Sequence, residues 1–309
     1  MSIAHRKVTI IGAGYVGSTS AYALIAARLA NEIALLDVNT ALARAQAMDL
    51  QHAMPFHAPL SVHAGTYADI RDSAIVIIAA GANQKPGETR LDLIKKNTAI
   101  MHEIGSNIFR MNKSAVVLVV TNPVDILTYQ LIKRYPQHRP RIFGSGTVLD
   151  TARLRFLIGA FTQVNPSSVH AYICGEHGDS EFPLWSTANI GQVPILDYPG
   201  CSRKKLDALF EQARHAAYAI IEGKQATYYA IASGVAHIVD AVFNDKNDVL
   251  PVSHLLTNYH GISDVALSVP AIVGSKGIRA QMKLDLRAEE VKRLRASAQK
   301  LKAAAHHIV

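Results

Sequence analysis

The chain has 309 residues, 49% of them hydrophobic and 18% charged, so it can bury about three quarters of its unfolded surface without staples. Its net charge of +8 comes from scattered cations and a helically spaced tail, "VKRLRASAQKLKAAAHH", without interleaved aromatics, which argues against a nucleic-acid partner. Two cysteines, Cys174 and Cys201, without CxxC spacing exclude a disulfide framework and fit a reducing, cytoplasmic setting.

Taken in chain order, β-branched runs predict strands at 7–11, 33–37, 60–64, 74–79, 115–120 and 141–145. Amphipathic stretches predict helices at 14–29, 40–53, 89–110 and 124–134 between most of them. Continuous apolar strands separated by helices imply an α/β parallel sheet covered on both faces. Six of them fit a doubly wound, dinucleotide-binding (Rossmann) domain. Past residue 145 the rhythm changes to helices at 147–161, 202–222, 225–243 and 287–306, with strand-like pieces near 168–174, 248–256 and 261–273. The expected organisation is a cofactor domain over 1–145 and an α+β substrate domain over 146–309, closely packed around a cleft. The opening "MSIAHRKVTIIGAGYVG" enters a strand directly, so no signal peptide is expected. The longest apolar runs, such as "SAVVLVV", are too short for a membrane span.

"VTIIGAGYVGSTSAYAL" carries Gly12-x-Gly14-x-x-Gly17 between a strand and a helix. Such glycines permit a tight turn, close approach of a pyrophosphate and close helix packing, and the helix N-terminus favours the anion. Asp37 follows Gly17 by 20 positions at the end of the next strand. A carboxylate there accepts from ribose hydroxyls and repels a 2′-phosphate, so NAD is expected rather than NADP.

"YICGEHGDSEF" sets His177 between glycines, which suggests backbone brought close to a ligand; a structural histidine is the alternative among 14 in the chain. "GSGTVLDTARLRF" places Asp150 and Arg153 at i, i+3, on one helix face, a spacing that a surface ion pair would also produce. A Cys174–His177 nucleophilic pair is supported only by nearness in sequence.

"GAGYVGS", "AGANQKPGETR", "TNPVD", "GSGTVLDTARLRF" and "GEHGDSEFPLWS" occur in this order. Together they resemble the L-lactate dehydrogenases of the lactate/malate dehydrogenase family, over about residues 5–300. The resemblance implies that His177 is the acid/base, oriented by Asp150, and that Arg153 clamps the substrate carboxylate in a bidentate fork. It implies that Asn122 donates toward the substrate oxygen and that Thr227 borders the substrate. Gly12, Gly14, Val16, Gly17, Asp37, Gly81, Asn122 and Ile231 would line the NAD site, and no metal is implied. The proline after Asn122 makes a cis bond there an expectation, a simple turn being the alternative.

By the same resemblance 81–91 is a lid that carries Arg90 to the reacting carbonyl, and Gln84 faces the far end of the substrate. A malate-type enzyme typically has arginine at this position; Gln84 offers no counter-charge for a second carboxylate, which favours pyruvate and L-lactate. Arg155 and His170 match positions where some bacterial members bind fructose bisphosphate between subunits, and a homotetramer is implied. The rival readings are a malate or branched-chain 2-hydroxy-acid dehydrogenase, a non-catalytic NAD-binding protein, and a nucleic-acid binder.

Overall fold

A computed structural model describes residues 6–82 and 87–306, the side chains of Arg90 and His306 excepted. The strands of the first half are β1 (Lys7–Ile11), β2 (Glu32–Leu36), β3 (Ser61–Ala64), β4 (Ile75–Ile78), β5 (Val116–Val119) and β6 (Ile142–Gly144). They run parallel in the order β3-β2-β1-β4-β5-β6. The strand order therefore reverses between β1 and β4, the point at which such sheets leave a crevice beyond their carboxyl ends.

The helices are α1 (Tyr15–Ala26), α2 (Thr40–His52), α3 (Arg90–Met111), α4 (Val124–Arg134), α5 (Val148–Thr162), α6 (Arg203–Lys224), α7 (Tyr229–Phe243) and α8 (Ala288–His306). Alternate strand residues feed opposite layers. Val8, Ile10 and Ile33 pack with Leu24 of α1 and Val239 of α7. Ile11, Val76 and Ile78 pack with Met101 of α3 and Leu127 of α4. Each such side chain contributes roughly 1.5–3 kcal/mol by leaving water, so both faces of the sheet must be apolar. Lys7 and Thr9 are buried polar residues of β1: Lys7 Nζ lies 2.9 Å from Glu32 Oε1, and the Thr9 hydroxyl lies 2.6 Å from Ser73 Oγ.

The second half supplies β7 (Val169–His170), β8 (Ile173–Cys174), β9 (Phe182–Pro183), β10 (Asn189–Ile190), β11 (Val193–Pro194), β12 (Asp248–Leu255), β13 (Ala266–Gly274) and β14 (Gly277–Gln281). β12 joins β6 antiparallel, with Ser253 opposite Gly144, and β13 and β14 extend the sheet to nine strands. The main sheet thus runs past residue 145 into the second half. The β14 strand was not predicted, because "GIRAQ" is a partly exposed edge with little apolar signal. No helix among the described residues is long and apolar enough to cross a membrane.

Candidate active site

The turn after β1 assigns a separate task to each glycine. Gly12 has φ +103, and a Cβ there would lie 2.5 Å from Ala80 N; a Cβ on Gly17 would lie 1.8 Å from Gly12 O. Those two positions close the turn and seat α1. A Cβ on Gly14 would meet nothing within 4 Å, so the middle glycine faces open space. Gly14 caps α1 without any side-chain hydrogen bond, which leaves first-turn N–H groups for an anion. Asp37, just past β2, accepts from the Ala13 N–H at 2.7 Å and from the Asn39 N–H at 2.8 Å. Its carboxylate is held beside the turn. Val16 packs against the core of the same layer. These features fit a dinucleotide.

Two further segments converge here. Asn97 of α3 accepts from the Ala82 N–H at 2.7 Å and donates to the Asn122 carbonyl at 3.2 Å. It thereby ties the stretch after Gly81 to Asn122, whose bond to Pro123 is cis. Tyr228 stacks on Tyr15, with centroids 5.4 Å apart, which brings the segment after α6 to the glycine turn. Thr227 lies in that segment and not on a helix, as the expectation of 225–243 would have it. Gln225 takes a left-handed φ of 68° and ends α6, and α7 starts only at Tyr229. Ile231, in the first turn of α7, packs against the core.

Backbone tethers bring His177 and Asp150 together. Thr147 Oγ1 donates to the Ile173 carbonyl at 2.6 Å, and the Ile173 N–H donates to Thr151 Oγ1 at 2.9 Å. The first turn of α5 is thus bound to β8, the strand that leads into the His177 loop. Gly175 exchanges backbone hydrogen bonds with Ser268, and the Glu176 N–H donates to Ser297 Oγ. The His177 N–H donates to Asp125 Oδ2 at 2.7 Å.

Held in this way, His177 Nδ1 lies 2.6 Å from Asp150 Oδ2, and Arg153 Nη1 donates to Asp150 Oδ1 at 2.9 Å. A carboxylate partner accepts, so Nδ1 carries the hydrogen and Nε2 is left for a reactant. The Asp150 side chain is 4% exposed, that of Arg153 13% and that of His177 25%, so the imidazole and guanidinium, and not the carboxylate, reach solvent-accessible space. The Asp150 charge, against the opposing effect of burial, holds the His177 pKa up at about 9. Burial opposes ionisation of Asp150, yet the imidazole and guanidinium beside it outweigh burial and hold its carboxyl below the usual range. Such a site holds a proton on an imidazole at neutral pH next to a fixed cation.

Two acids that sequence reasoning left without roles belong to this site. Asp125 of α4, in "TNPVD", is buried and pushed up to about 6, chiefly by burial. Glu181 lies beside Asp150 and His177, with a ring nitrogen of His177 and a carboxylate oxygen of each acid within 4.8 Å of one another. Neither role could be read from local spacing, because both depend on which elements meet.

Residues 6–144 match the model of the lactate/malate dehydrogenase NAD binding domain, and residues 147–309 that of the family's alpha/beta C-terminal domain. The chain belongs to the lactate/malate dehydrogenase family. It is accordingly an NAD-dependent oxidoreductase. Among similar family members, an L-lactate dehydrogenase of a Thermoanaerobacter species is 46% identical over 301 residues, covering 96% of this chain and 97% of that one. One from Acetivibrio thermocellus is 47% identical over 305 residues, covering 96% and 95%. The crystal structure of a lactate dehydrogenase from a Medee basin deep-sea metagenome library superposes with a TM-score of 0.96 at 39% identity, covering 99% of both chains. A ligand-bound minor L-lactate dehydrogenase from Enterococcus mundtii gives 0.96 at 40%, again over 99% of both.

Gln84 lies outside the described residues. Arg90 opens α3 behind the N-cap Thr89, which accepts from the Asp92 N–H; its side chain lies outside the described residues. Arg155 donates from Nε to the Ala171 carbonyl at 2.9 Å, with its guanidinium 5.1 Å from the Tyr172 ring. His170 is exposed on β7, next in sequence to that carbonyl.

Proposed function

We propose that the chain is an L-lactate dehydrogenase, interconverting pyruvate and (S)-lactate with NADH and NAD+. The observation that carries this is the buried Asp150 carboxylate, which bridges an imidazole and a guanidinium. NAD, held by Gly12, Gly14, Val16, Gly17, Asp37, Gly81, Asn122 and Ile231, supplies hydride chemistry when bound. Arg153 forks the pyruvate carboxylate and so fixes the keto group toward His177. Protonated His177 gives its Nε2 proton to the carbonyl oxygen as the carbon is reduced; in the reverse direction the neutral ring accepts the hydroxyl proton. Asp150 fixes the tautomer and stabilises the imidazolium. Asn122 and Arg90 polarise the same oxygen, Thr227 borders the substrate, and Gln84 forms the uncharged far wall. With a His177 pKa near 9, pyruvate reduction is sustained at neutral pH and lost as pH rises through that value, whereas oxidation gains.

Residues 1–145 serve as the cofactor half and 146–309 as the substrate half, in a cytoplasmic homotetramer of fermentative glycolysis. Arg155 and His170 form an anion site for fructose 1,6-bisphosphate between subunits. Pyruvate saturation with and without that sugar at pH 6 and pH 8 tests this; identical curves at both pH values would remove it. For the main reading, pure protein is mixed with pyruvate and NADH and absorbance is followed. NADH loss with equimolar (S)-lactate is expected. An inert mixture, also with branched 2-keto acids and oxaloacetate, would leave only an NAD-binding protein.

A further inference from the structure

Glu181 is 6% exposed and closes the loop that carries His177. Its N–H donates to the Gly178 carbonyl at 3.1 Å, which turns the chain back under the imidazole. The charged groups around it come from its own loop and from three helices. α5 brings Asp150 and Arg153, its own loop brings His177, and α4 brings Asp125 behind the His177 backbone. From α6, Arg214 donates to the Asp179 carbonyl at 3.4 Å and Tyr218 to Asp179 Oδ1 at 3.3 Å. Those two contacts engage the loop before it reaches Glu181.

Asp150 and Glu181 are therefore two carboxyls in one buried place. When such groups share a site their proton affinities separate, and one stays ionised while the other keeps its proton. Asp150, facing both cations, is the ionised member. Burial and then the Asp150 charge push Glu181 up to about 9.

We propose that Glu181 is a positioning residue of the reaction: as a neutral carboxylic acid it donates its O–H to the Asp150 carboxylate. Asp150 has about four lone-pair sites, enough for His177, Arg153 and Glu181 together. Three donors prevent the carboxylate from rotating or from taking the His177 proton. The neutral acid also sets the charge seen by the substrate. Arg153 and His177 carry two positive charges, faced by Asp150 and, behind the ring, by Asp125. Ionised Glu181 would add a further negative charge beside Asp150 and weaken the hold on a keto-acid monoanion.

This inference rests on the acid/base reading above, and its test separates the two. In the wild type, log kcat/KM for pyruvate is measured from pH 6 to 10.5, and carboxyl infrared bands are recorded over the same range without substrate. The proposal predicts a protonated-carboxyl band at pH 7.5 that disappears between pH 8 and 10 and is missing from Glu181→Gln. It predicts that activity falls with two protons, slope −2, above the His177 and Glu181 pKa values. In Glu181→Gln, whose amide still donates, activity at pH 7 stays within about twofold and the slope becomes −1. Glu181→Leu loses about tenfold at pH 7, the size of one hydrogen bond to a charged group, and Gln in its place restores it. A missing band, equal slopes in wild type and Glu181→Gln, or a tenfold loss at pH 7 in folded Glu181→Gln would each overturn the proposal. If the wild type fails to reduce pyruvate at all, the functional reading falls, while the infrared band still decides the state of Glu181.

Discussion

Replacing Asp150 by Asn removes the charge that lifts His177 and leaves a side chain of the same shape. The ring now sits near pKa 9 rather than 6.5, and at 1.36 kcal/mol per unit the lift is worth about 3 kcal/mol. In the wild type about nine tenths of His177 is protonated at pH 8. In Asp150→Asn the ring returns toward 6.5, with burial lowering it and Asp125 raising it, and at that value about 3% is protonated. Protonation alone then lowers kcat/KM for pyruvate about 30-fold at pH 8 but by less than about twofold at pH 6. A wrong tautomer and a weakened Arg153 clamp add losses, but these do not follow that pH course. The assay is steady-state NADH oxidation by pyruvate in both proteins at pH 6 and pH 8. The wild-type-to-variant ratio should grow about 20-fold between them; a ratio that stays constant would refute the role given to Asp150.

Gly14→Ala should raise the NADH KM severalfold with an unchanged Tm, because its Cβ enters open space, whereas Gly17→Ala should fail to fold, because its Cβ would strike Gly12 O; Tm and NADH titration separate the two. Gln84→Arg should move preference toward oxaloacetate by tenfold or more, roughly the value of pairing an otherwise stranded carboxylate, read as kcat/KM for both keto acids. His254, buried in β12, is pushed down to about 4, mainly by burial, and so binds a proton less readily folded than unfolded. Stability should fall by roughly 2–3 kcal/mol from pH 7 to 4.5 on this account. Denaturant unfolding of His254→Leu should show that much less acid sensitivity.

The sheet was legible because both of its faces are buried, so β1, β4 and β5 read as unbroken apolar runs bounded by turn residues. The glycine turn and Asp37 were legible because the chemistry of a dinucleotide dictates residue types at short spacing. Asp150 and Arg153 share a helix face by periodicity alone. The union of Asp150 with His177 is a different case. It is made through Thr147, Thr151 and β8, a tertiary arrangement that came only with family resemblance. Asp125 and Glu181 stood inside quoted motifs and still gave no signal, since a carboxylate on a page shows neither its burial nor its neighbours. The start of α7 was misplaced for a local reason: the break falls at Gln225, a residue that rarely announces a left-handed conformation. Attachment of β12 to β6 depends on long-range pairing that no period in the sequence encodes.

The proposed pocket offers one guanidinium for one carboxylate, a protonated imidazole for one carbonyl and an uncharged wall beyond. The most direct test is the ratio of kcat/KM for pyruvate to that for oxaloacetate in the unaltered protein with NADH at pH 7. Pyruvate should be preferred by a hundredfold or more, roughly the consequence of burying a second charge without a partner. Equal rates, or a preference for the four-carbon dianion, would contradict it.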